Sequence, residues 1–193
     1  MAHASRSFGR AVFGAALLVS FSGWTAGRAE GAFARRKVLT IDRTRVPGTG
    51  NHADFPVLVS ISGDANLRTT TNGGSVTSSA GHDILFRGED AATCAPLASP
   101  CRLDHEIESY DGATGTLVAW VRVPTLQYSG AGADSVVSLY YGDATVTSSQ
   151  QNRTGVWNSG YREVFHLHEA ADQTDSTVNA FTAAGRTTVA GTA

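Results

Sequence analysis

Between Phe55 and Ile61 an apolar side chain recurs at every second position, so Phe55, Val57, Val59 and Ile61 fall on one face. The same period returns in Leu117 to Val123. There Leu117, Ala119, Val121 and Val123 point one way and Val118, Trp120 and Arg122 the other, until Pro124, which is expected to end the run. A period of two belongs to half-buried strands and not to helices. Val38 to Ile41, His82 to Arg87 and Val136 to Tyr141 are shorter candidates of the same kind. Pro56 lies near the start of its run, which marks either a strand beginning or an edge strand, because proline cannot donate to a ladder.

Turn-forming residues separate these runs: Pro47-Gly48-Thr49-Gly50, Asn72-Gly73-Gly74, Asp111-Gly112 and Gly130 to Gly132. No long segment spaces its apolar residues as a helix does, and 21 glycines suit tight turns. Many short strands punctuated in this way predict an all-β fold, an antiparallel β-sandwich or jelly-roll-like arrangement. The polar, Gly/Ser/Thr-rich stretch from Thr69 to Gly81 is expected to be a long surface loop. Ala144 to Ser159 reads as a linker, and Arg162 to Glu169 as one more strand. From Ala170 onward the chain is polar and small, with little to bury.

The first thirty residues have a different character. Arg6 and Arg10 supply positive charge, Ala11 to Trp24 forms a short apolar run, and Ala26, Ala29 and Ala34 offer small-residue cleavage ends. This is the layout of a secretory signal peptide. The run is shorter than the roughly 20 residues of a comfortable membrane span, which leaves an uncleaved anchor as the rival reading. Export would leave a chain able to bury about two-thirds of its unfolded surface in one domain, with part of a second.

Cys94 and Cys101 are the only cysteines, with six residues between them in a segment that also holds Pro96 and Pro100. In an oxidising compartment such an isolated pair is expected to form a disulfide. Closing so small a loop contributes about 2.5 kcal/mol on the chain-entropy account. Metal binding is the rival, but two thiolates without further partners make a poor site. The formal net charge is −2, and Lys37 is the single lysine. No basic stripe is present, so nothing points to nucleic acid.

Several blocks together resemble the bacterial domain of unknown function 2341. They are Arg35 to Asp42, Asp54 to Val59, Leu103 to Asp111, Gly115 to Pro124 and Leu139 to Gly142, in order from about Phe33 to Tyr141. A second resemblance follows. Gly155-Val156-Trp157, Val164 to Glu169 and Asp175-Ser176-Thr177 look like the opening of a concanavalin A-like (laminin G-like) sandwich, although the position of His168 is more often Asn or Asp there. The expected organisation is therefore a signal peptide at 1–29, a sandwich domain at 33–142, a linker at 143–160 and a truncated start of the second domain at 161–193. The resemblance implies an exported or envelope-associated protein without an assigned role, secreted or periplasmic. Its lectin-like neighbour suggests a glycan or another cell-surface ligand as partner. Fold alone does not settle function.

Three constellations are candidates for chemistry. Asp104, Glu106 and Glu108 alternate along one strand and share a face with Tyr110, while Leu103, His105 and Ile107 face the other way. Carboxylates two apart sit about 7 Å apart at their Cα atoms, close enough for the paired carboxyl groups of a retaining glycosidase. An ordinary solvated acidic face, paired with Arg102 or Arg122, is the plainer reading. His166 and His168 also share a strand face and are candidate zinc ligands, with His82, His105 or Glu169 as third ligand. Trp120 and Trp157, with Tyr128, Tyr140 and Tyr141, are candidates for a sugar-stacking platform, against ordinary core or edge packing. No phosphate-binding glycine loop, serine nucleophile elbow or dinucleotide fingerprint is present, and no cofactor is expected. The reading that follows is a non-catalytic exported module of unassigned role, with a glycoside hydrolase acting through Glu106 and Glu108 as the alternative.

Overall fold

A computed structural model describes residues 33–166 and 174–182. The expected signal peptide, His168, Glu169 and the tail beyond residue 182 lie outside the described residues.

Among the described residues, seven strands form two antiparallel sheets. β1 (Arg35–Ile41), β7 (Ser135–Tyr141), β3 (Leu85–Gly88) and β4 (Cys101–Leu103) lie in that order in the first. β2 (His52–Ile61), β6 (Thr116–Leu126) and β5 (His105–Asp111) make the second. Two four-residue helices, α1 (Ala91–Cys94) and α2 (Arg153–Val156), lie between or after the strands. The fold is an all-β sandwich, as the period-two runs predict. Leu39, Ile41, Phe86, Val137 and Leu139 of the first sheet meet Val57, Val59, Ile61, Leu117, Ala119, Val121 and Val123 of the second in one core. No helix among the described residues is long and apolar enough to cross a membrane.

Three details depart from the sequence pattern. Phe55 is 42% exposed rather than part of the core. Asp54 just before it has a left-handed backbone (φ 49°), and the Phe55 ring turns towards His52, 5.7 Å away between centroids. Pro124 does not end its strand. Only the Asp54–Pro124 pair drops out of the ladder, and pairing resumes at Thr125 with Ala53 and at Leu126 with His52. The expected loop from Thr69 to Gly81 is tied down, with Val76 fully buried and bridged to Thr69.

β2 is an edge strand, as Pro56 suggests, and its ladder to β6 runs on through both sides of that proline. This is the position a proline takes when the donor it lacks would have faced solvent.

The disulfide between Cys94 and Cys101 is formed and buried, which fastens α1 to the start of β4. It sits directly over Gly88 of β3. A Cβ at Gly88 would lie 2.8 Å from one sulfur and 2.9 Å from the other. Gly88→Ala is therefore expected to destabilise the sandwich by about 2 kcal/mol, as overpacking does. A urea midpoint equal to that of the parent would show that the staple has room to move.

Candidate functional site

β5 begins as a regular strand. His105 faces the core and is 0% exposed, its ring 5.3 Å from that of Phe86, while Glu106 points to the outer face opposite Trp120. The ladder then slips. Ile107 pairs with Ala119 and Ser109 with Val118, which leaves Glu108 as the extra residue of a β-bulge. Parity reverses beyond it. Tyr110 consequently packs against the core, and its hydroxyl donates to the Leu67 carbonyl at 2.7 Å. It does not share the carboxylate face as simple alternation predicts. Burial pushes the Tyr110 phenol well above its usual value, with Asp83 and Asp111 adding to the shift.

The three carboxylates have separate partners. Asp104 is held by Arg122 Nη2 at 2.5 Å and by Asn152 Nδ2 at 2.7 Å. Arg102 turns instead to the Gln150 carbonyl. Glu108 accepts from the indole Nε1 of Trp120 at 2.8 Å.

Glu106 is the centre of the site. It is 4% exposed, and both of its oxygens are occupied. Oε1 accepts from the Ser176 hydroxyl at 2.6 Å and lies 3.8 Å from Arg153 Nε. Oε2 accepts from Trp157 Nε1 at 2.8 Å and lies 3.0 Å from His166 Nε2. Four groups from the far end of the described chain thus converge on one carboxylate. Taking a carboxylate out of water costs several kcal/mol, and only a full set of donors with nearby positive charge offsets that cost.

His166 bridges the pair, its other ring nitrogen Nδ1 lying 3.3 Å from Glu108 Oε2. Aromatic rings close the site above. Trp157 is 5% exposed and lies 5.3 Å from Trp120 and 5.2 Å, edge-on, from Tyr161. Trp120 is half-buried.

The segment that supplies these groups has its own internal order. The Asp175 carboxylate accepts from the amides of Val164, Thr177 and Phe181 and from the Thr177 hydroxyl. Burial alone would raise its pKa, but these donors outweigh it and hold the group at about 2. The Ser176 amide in turn donates to the Val164 carbonyl at 2.9 Å. Asp175, Ser176 and Thr177 are all buried, so the polar tail does bury residues, through hydrogen bonds rather than apolar surface. Residues 162–166 form no strand, and the rest of that expected strand lies outside the described residues. Just upstream, Asn152 donates its amide to the His105 carbonyl and Gln151 accepts from the Ile107 amide, capping the free edge of β5.

The structure brings Glu106, Glu108, Trp120, Trp157 and His166 into one cluster. It places Asp104 beside the cluster with Arg122, and His105 on the opposite face of the strand. His82 is elsewhere, its Nδ1 against the Thr147 carbonyl. Among the described residues no group of three or more His, Cys, Asp or Glu side chains is arranged to hold a metal ion. Sequence reasoning gave no role to Arg153, Tyr161 or Ser176. The Asp175-Ser176-Thr177 triplet, a run of residues that hydrogen-bond their own backbone, was the signal available for the last of these.

One comparison bears on this cluster directly. Residues 96–182 match the family model of DUF2341, a domain of unknown function. The DUF2341 match takes in β4 to β7, Glu106, and the four residues that converge on it, Arg153, Trp157, His166 and Ser176. It continues past Tyr141, through the stretch where a linker and a new domain are expected. The comparisons give no support to the concanavalin A-like resemblance. No curated protein and no solved structure matches the chain.

Proposed function

We propose that this chain is an exported, non-catalytic β-sandwich module that binds a glycan or another cell-surface ligand. The observation that carries the non-catalytic half is the saturation of Glu106. A nucleophile or general acid needs a carboxylate open to substrate, whereas both oxygens of Glu106 are engaged by Arg153, Trp157, His166 and Ser176. The buried Cys94–Cys101 disulfide supports export, since such bonds persist in oxidising compartments. Ligand binding draws support from the outer face of the second sheet. There half-buried Trp120 pairs across the ladder with Leu58, which is exposed, an apolar and aromatic surface of the kind sugar rings stack on.

The test has three readings on the exported chain. N-terminal sequencing is expected to find a start after Ala26 or Ala29. A glycan array with pull-down on envelope fractions is expected to return a polysaccharide or surface ligand, and silence on both would overturn the binding half. A β-glucan panel is expected to stay intact. Hydrolysis that disappears in Glu106→Gln would overturn the non-catalytic half.

A further inference from the structure

His166 occupies an unusual position for a histidine: each ring nitrogen faces a different carboxylate, Glu106 at 3.0 Å and Glu108 at 3.3 Å, with the side chain only 10% exposed. A neutral imidazole carries one N–H and one lone pair, so it can satisfy only one of the two. In that form its lone pair would face a carboxylate oxygen in a site shielded from water. The imidazolium hydrogen-bonds Glu106 through Nε2, sets its second N–H 3.3 Å from Glu108, and cancels part of their charge.

The surrounding groups sharpen this. From β5 come Glu106 and Glu108, with Asp104 already neutralised by Arg122 of β6. From α2 comes Arg153, 3.8 Å from the far oxygen of Glu106. Trp120 and Trp157 contribute indole N–H groups, and Tyr161 lies edge-on beyond Trp157. In the tail, Asp175 is absorbed by its own amides. Among the described residues, Arg153 and a charged His166 stand against the two glutamates, and removing one proton leaves these four groups net negative.

We infer that His166 is a proton-controlled latch. Charged, it fastens the segment of residues 157–166 and 174–182 to the acidic face of β5; when it loses its proton, the segment releases Glu106 and uncovers Trp120. The sign follows from the chemistry. The latch is closed while the imidazole is charged, and it opens as pH rises and the ring gives up its proton.

Hydrogen exchange of the full chain, read by mass spectrometry and normalised to intrinsic rates, tests this between about pH 6 and about pH 9. The amides of Val164, Ser176 and Phe181 are expected to lose about tenfold in protection over that range, while those of β6 hold theirs. His166→Gln, which cannot titrate, is expected to flatten the profile. Glu108→Gln keeps the fold less at risk and is expected to move the loss to lower pH, because one fewer carboxylate holds the proton. Protection that is level with pH in the parent, or lost equally in β6, overturns the latch. So does a profile in Glu108→Gln that stays in place or moves to higher pH.

Discussion

Glu106→Ala is expected to be among the most damaging single substitutions outside the apolar core, lowering stability by about 4 kcal/mol. The side chain itself is not the main loss. Its removal takes the Glu106 oxygens from the Trp157 indole N–H, the Ser176 hydroxyl and His166 Nε2, and the penalty is that of donors kept from water without that acceptor. Glu108→Ala is expected to cost only about 1 kcal/mol, since Glu108 is more exposed and accepts from fewer groups. Urea titrations of the two variants provide the comparison. Equal losses would refute the view that one carboxylate organises the seam.

Acid sensitivity between neutral pH and about pH 4 is the second large effect expected, and it arises on the other face of the same strand. Burial holds the His105 imidazole down to about 4, with Leu103 and Ile84 carbonyls pulling weakly the other way. Below its ordinary value the unfolded chain takes up a proton that the folded core refuses. Stability is therefore full above about pH 6.5 and falls as pH drops towards the folded value, by about 3 kcal/mol in all. His105→Leu fills a similar volume without a titrating ring and is expected to remove this part of the pH dependence. A parent and a variant with parallel stability curves from pH 7 to pH 4 would show that the ring charges freely in the folded state.

The strands were legible because burial of apolar side chains leaves a mark every two residues, and Val57, Val59, Ile61 and the β6 run all landed where that mark places them. Where other physics intervened, the pattern misled. Phe55 keeps its register opposite buried Val123 and yet stays exposed, and a bulge at Glu108 sent Tyr110 inward; neither leaves a periodic trace. The seam was less visible still. Its partners stand 51, 60 and 70 residues from Glu106, and they are buried through polar contacts that hydrophobic patterning does not register. A segment with little apolar content thus reads as unanchored when one carboxylate anchors it. The acidic alternation of β5 was correctly noticed, but its use could be seen only with its covering in place.

Pro56 has a consequence for the molecule among its own copies. Ten residues of unpaired edge, rich in valine and isoleucine, would ordinarily invite a neighbour's strand to add on and a fibre to grow. A missing donor in the middle of that edge breaks any continuous pairing, and the raised φ at Asp54 bends the approach to it. The molecule's sheets are kept from merging with those of a neighbouring copy by a single residue that the core would never have required.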